Sequence, residues 1–103
     1  MITVKTVDKI KEKTIVRKIT CSGHAEGDDH TAICSGASML MQTLALFLAK
    51  RYPYTMDAEL KDGESFVSCE AEVADRVVAT AFQMVEEGMA SLRNRYPDQV
   101  DVV

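Results

Sequence analysis

Residues 21–38 read Cys21-Ser22-Gly23-His24-Ala25-Glu26-Gly27-Asp28-Asp29-His30-Thr31-Ala32-Ile33-Cys34-Ser35-Gly36-Ala37-Ser38. The character of the chain changes across this stretch. Before it, Thr14 to Cys21 is rich in β-branched residues and reads as a strand. After about Ala32, the apolar residues Ile33, Ala37, Leu40, Leu44, Phe47 and Leu48 follow helical spacing. Between the two, Ser22 to His30 is a polar loop with two glycines. A strand therefore feeds a loop that feeds an oily helix, with most of the reactive side chains of the chain at the junction.

Upstream, Met1 to about Asp8 alternates with Ile2 and Val4 on one face, which predicts a first strand. Lys9 to Lys13 is charged and reads as the turn that makes the two strands antiparallel. Downstream, Met41 and Ala45 widen the helical stripe. This predicts a helix covered on most sides, either within the domain or by a second copy of the chain. Tyr52 before Pro53 ends it. Tyr54 to Leu60 and Ser65 to Ala71 read as two strands, joined by Lys61-Asp62-Gly63-Glu64, whose Asp-Gly pair signals a hairpin. Asp75 is placed to cap a second helix to about Tyr96, with Val78, Phe82, Val85, Met89 and Leu92 on one stripe. Gln99 to Val103 reads as a short last strand. The predicted order is β-β-α-β-β-α-β in a single domain over residues 1–103. It is an α+β fold, with a mostly antiparallel sheet and two helices covering one face.

Composition bounds the function. The chain has 103 residues, 47% hydrophobic and 27% charged, with a formal net charge of −4. That is one core's worth of chain and too apolar for a disordered one. The acidic balance argues against direct nucleic-acid binding. No run of about 18 consecutive apolar residues exists, so no membrane partner is expected. The start of the chain lacks an apolar secretion segment, so the expected location is cytoplasmic. In that reducing setting Cys21, Cys34 and Cys69 are expected as free thiols.

Chemistry concentrates in Cys21, Ser22, His24, Glu26, Asp28, Asp29, His30 and Cys34. Cys34 is predicted in the first turn of the helix, where free amides and the positive end of the dipole stabilise a thiolate. His24, folding back from the strand end, would serve as its base and later protonate a leaving amine. Helix-start amides are the candidate oxyanion donors. Cys21 and Cys69 read as packing residues and His30 as an exposed loop residue. Ser38, one turn beyond Cys34, shares its face of the helix. The Glu26–Asp29 loop, with little to pin it, is expected to be mobile and to close over a bound peptide.

Ser22-Gly23-His24-Ala25 at a strand end, followed by Ile33-Cys34-Ser35-Gly36-Ala37-Ser38 opening an apolar helix with Gln42-Thr43, resembles the ribosomal-processing cysteine protease (Prp) family. So does the ending, a helix carrying Gly88 and Leu92 followed by Tyr96-Pro97 and a strand. The resemblance spans nearly the whole chain and supports His24 and Cys34 as the catalytic pair. It implies a cytoplasmic homodimer without a cofactor, which trims the N-terminal extension of a large-subunit ribosomal protein, number twenty-seven. One position departs from the family pattern: Thr31 stands three residues before the cysteine, where an aspartate is usual. Either Asp28 or Asp29 would supply that carboxylate after a shift of the loop, or Thr31 simply caps the helix.

Two other readings compete. A catalytically weak or inactive homodimer that binds ribosomal partners would follow from the Thr31 change. A zinc-binding module would use Cys21, His24, His30 and Cys34, all acceptable ligand types, although their C-x2-H-x5-H-x3-C spacing matches no established zinc pattern.

Overall fold

The computed structural model describes residues 1–103. It contains β1 (Ile2–Lys11), β2 (Thr14–Gly23), α1 (His30–Arg51), β3 (Met56–Lys61), β4 (Glu64–Glu72), α2 (Arg76–Arg95) and β5 (Val100–Val102). The five strands form one sheet in the order β3-β4-β2-β1-β5. All neighbours are antiparallel except β1 and β5, which run parallel. The fold is therefore the expected α+β arrangement, with one parallel pair at its edge.

Period-2 alternation decides which side of the sheet is covered. Val4 lies opposite Cys21, Ile19 opposite both Thr6 and Val67, and Val67 opposite Ala58. These residues share the face toward the helices, and Ile19 and Val67 are fully buried. Lys5, Lys18, Asp57 and Glu59 alternate with them on the other face and are exposed. Ile33, Ala37, Met41, Leu44 and Leu48 of α1 and Val78, Phe82, Val85 and Met89 of α2 close the core over that sheet face. The helices approach closely because each carries a glycine at the contact. Leu92 packs over Gly36 and Leu40 over Gly88, where a Cβ would lie 2.7 Å from Leu40 Cδ2.

Several boundaries differ from the sequence reading. Lys9 to Lys11 belong to β1, so the turn is only Glu12-Lys13. The ladder continues through charged residues, among which Asp8 and Arg17 stand opposite each other and form an ion pair at 3.3 Å. β3 begins at Met56 because Thr55 and Met56 donate their amides to the Tyr52 carbonyl in a turn after α1. The first helix is not covered on most sides within the chain: Met39 and Leu46 are exposed. Its length and apolarity would suffice to cross a bilayer. It nonetheless buries one stripe against the sheet and α2, and Lys50 and Arg51 end it.

Candidate active site

The end of β2 and the second turn of α1 meet at a small cavity of about 60 Å³. Cys21, His24, Cys34, Ser38, Met41 and the β3–β4 turn line it. A much larger groove of about 440 Å³ lies between α1 and α2. Its lining, led by Leu44, Phe47, Val77 and Met84, carries no cysteine, histidine or carboxylate, so size and chemistry point to different places and chemistry decides.

Backbone constraints hold His24 at the rim. Gly23 adopts φ +94°, a conformation that costs other residues strain. A Cβ there would also collide with the Met1 carbonyl oxygen. The Gly23 amide donates to the Gly63 carbonyl at 2.9 Å. The His24 carbonyl accepts from the Met1 amino nitrogen at 2.7 Å. Beyond it Ala25 is buried, and the Glu26 amide donates to Gln99 Oε1 at 2.8 Å. The loop, expected to have little to pin it, is therefore tied at its first residues.

The His24 ring lies against Gly63, whose φ of +77° and missing side chain leave it room; a Cβ at Gly63 would collide with Nε2. Nδ1 is 4.0 Å from Oδ1 of the exposed Asp62. The imidazole and Cys34 share the cavity without a hydrogen bond between them, so the ring must turn off Gly63 to reach the sulfur. Catalytic contacts in ligand-free enzymes are commonly this loose.

Cys34 is not in the first turn of α1. The helix begins at His30, which makes Cys34 its fifth residue. The Ile33 amide is already bonded to the Asp29 carbonyl at 3.1 Å. The amides left without a backbone acceptor are those of Thr31 and Ala32, a turn earlier. The dipole contribution fades within the first turn, so Cys34 receives less of it than the sequence reading expected. Cys21 adds to the setting. Burial pushes its thiol pKa up, and negative charge on Cys34 pushes it further. Cys21 packs against the core as expected and is also a wall of the site, and Cys69 is fully buried in the core as expected. Ser38 lines the cavity and accepts from Gln42 Nε2 at 3.4 Å.

The remaining loop residues face elsewhere. His30 Nδ1 bonds the Gly27 carbonyl at 2.8 Å, and its Nε2 meets Thr31 Oγ1 at 3.3 Å. Thr31 therefore does not cap α1; Asp29 occupies the cap position without a side-chain cap bond. Asp28 and Asp29 line a different cavity, beside Arg95 and Tyr96. Neither takes the place of the missing carboxylate. The zinc arrangement is not formed, because His30 is turned away from Cys21, His24 and Cys34. No three His, Cys, Asp or Glu side chains are grouped to hold a metal ion. Asp62 and Gly63 are the site residues that sequence reasoning missed. Their Asp-Gly pair signalled the turn, but only strand pairing shows where that turn lands.

A sequence model of the cysteine protease Prp family matches residues 1–101. No curated protein sequence matches the chain. Among solved structures, the ribosomal-processing protease Prp from S. aureus in complex with a substrate peptide superposes with a TM-score of 0.78 at 17% identity, covering 100% of this chain and 98% of that one. The same S. aureus protease with a covalently linked product peptide gives a TM-score of 0.75 at 17% identity, covering 99% and 97%. SMU.848 from Streptococcus mutans gives 0.67 at 17% identity, covering 99% and 91%. At these identities the solved structures establish the shared fold, and the sequence match over almost the full length establishes the family. The chain belongs to the Prp family of cysteine proteases.

Proposed function

We propose that this protein is an endopeptidase in which Cys34 is the nucleophile and His24 the acid–base. Its substrate is the N-terminal extension of large-subunit ribosomal protein number twenty-seven, removed in the cytoplasm. The observation that carries this reading is that His24 and Cys34, ten residues apart in sequence, line one cavity. The S. aureus relative solved with a substrate peptide and with a covalently linked product peptide supports a peptide as the ligand class.

The chemistry follows from the two side chains. The Cys34 sulfur, its proton taken by His24, attacks the scissile carbonyl carbon and forms a tetrahedral adduct. The imidazolium then gives its proton to the departing amine, and the C–N bond breaks to leave a thioester. Water attacks that thioester with the imidazole taking its proton. The acid is released and the thiol restored. Each step needs the ring to exchange protons with groups on the Cys34 side, so the ring must leave its resting place on Gly63.

The reading includes a homodimer, supported by the exposed Met39 and Leu46 on α1. Incubation with the full-length ribosomal protein of the same host, followed by intact mass measurement, tests the function. A single N-terminal truncation with the wild-type enzyme, and none with Cys34→Ala, is the expected result. Cleavage by Cys34→Ala would refute it.

A further inference from the structure

We infer that Asp62, at the tip of the β3–β4 turn, is a positioning residue for His24. It does the work of the carboxylate that this chain lacks at Thr31. The inference rests on the proposed Cys34/His24 reading and adds a third residue, from a different part of the chain.

Four observations converge. First, strand pairing delivers the turn to the histidine. Cys21 pairs with Ser65 and Ser22 with Glu64, so residues 61–64 lie beside the end of β2. The bond from the Gly23 amide to the Gly63 carbonyl locks that neighbourhood. Second, Asp62 Oδ1 stands 4.0 Å from His24 Nδ1. Third, Asp62 has no competing cation: the adjacent Lys61 ammonium is paired with Glu59 at 2.5 Å. Fourth, the loop carboxylates are directed elsewhere, since Asp28 and Asp29 line the cavity beside Arg95.

The physical role follows. A carboxylate on Nδ1 favours the tautomer with its proton there. Nε2 is then left to take the thiol proton, and the imidazolium that forms is stabilised. In the free protein the carboxylate is fully solvated, so the attraction is screened and weak. A peptide lying over the cavity would exclude water and strengthen it. Asp62 lies on an exposed turn, so its carboxylate is free to follow the ring as it turns off Gly63. The other titratable groups around the imidazole are Cys21, Cys34, Lys61 and Glu64, which share the cavity, and the Met1 amino group, which bonds the His24 carbonyl. None of them is in ion-pair contact with the ring.

The test compares wild type, Asp62→Asn, Asp62→Glu, Asp28→Asn and Cys34→Ala over a range of pH. The substrate is a peptide spanning the extension junction of the host ribosomal protein. Asp62→Asn should lower kcat about tenfold with KM nearly unchanged. It should also draw the alkaline limb of the kcat profile to lower pH, because in the peptide-bound enzyme the imidazolium loses its counter-charge. Asp62→Glu should restore most of both, and Asp28→Asn should behave as wild type. An Asp62→Asn enzyme with wild-type kcat and pH profile, alongside an inactive Cys34→Ala, would overturn the positioning role and leave the protease reading intact. Failure of the wild type to cleave moves the test to alkylation of Cys34 by a chloromethyl ketone of the same junction peptide, which covers the cavity as it reacts and needs no turnover. A rate–pH curve identical in wild type and Asp62→Asn overturns the inference there, and a displaced curve upholds it.

Discussion

The Tyr52 hydroxyl donates to Oδ2 of Asp75 at 2.8 Å, while Oδ1 of the same carboxylate accepts the Val77 and Val78 amides at 2.9 and 3.2 Å. One side chain thus caps α2 and ties its start to the end of α1. Asp75→Ala removes the cap and leaves Tyr52 unpaired, and should cost about 1–2 kcal/mol in urea unfolding. The hydrogen bond from Tyr52 holds the Asp75 carboxyl pKa below its ordinary value, with the two amides adding to it. A depressed folded pKa means that the stabilisation is complete above about pH 4, the unfolded value, and is lost as pH falls through the folded one. The acid limb of the stability curve should therefore flatten in Asp75→Ala. A parallel shift of the whole curve would argue against this coupling.

Gly63 is required twice, for its φ of +77° and for the space occupied by the His24 ring. Gly63→Ala should lose about 1–2 kcal/mol from the left-handed backbone. It should also push the imidazole out of its place. The strained turn also carries Asp62 and holds the Gly23 amide through the Gly63 carbonyl, and misplacing these costs on the order of tenfold to a hundredfold in kcat/KM. Circular dichroism melts paired with peptide cleavage rates separate the two effects. A stable variant with full activity would show that the ring does not depend on this site.

The three cysteines should react unequally. Burial is the main cause that raises the Cys21 and Cys69 thiol pKa values, so both stay protonated at neutral pH. Cys34 should be carboxamidomethylated first by iodoacetamide near pH 6, by at least about tenfold in rate. Tryptic mass mapping reads the order. Equal labelling of all three would favour the inactive, interaction-only reading. The raised folded values also carry a stability sign. The contribution is complete below about pH 8.5, the unfolded thiol value, and is lost as pH rises through the folded ones.

Phe82 of α2 is 1% exposed and is the largest fully buried side chain. Phe82→Ala should cost about 3–5 kcal/mol from lost burial and the cavity left behind. Its midpoint in urea should fall accordingly. A loss below about 1 kcal/mol would mean that the two helices close over the gap.

Local chemistry carried much of this protein into view from its residues alone. Alternation in Ile2 and Val4, the Asp-Gly turn at Asp62-Gly63, the helical stripe from Ile33 to Leu48 and the Asp75 cap are all short-range signals. Each names its element within a few residues. The errors were also local. The sequence places Cys34 in the first helical turn because the apolar stripe begins only at Ile33, although Asp29 stands at the cap position before His30. It ends β1 early because charged residues mask the alternation of a strand whose ladder runs on to Lys11 and Thr14.

His24 and Cys34 were identifiable as a pair from residue type and family resemblance, since each flanks the same loop. Their surroundings were not, because these depend on strand order. β4 lies beside β2, so residues 61–64 arrive at a histidine nearly forty positions away. Nothing within either segment encodes that meeting. It arises when Ile19, Val67 and Phe82 are buried together and the backbone ladder fixes the register. Propensity and period act over a few residues, whereas the company a side chain keeps is set by burial of the whole sheet. For that reason Asp62, and not Asp28 or Asp29, is the carboxylate beside the imidazole.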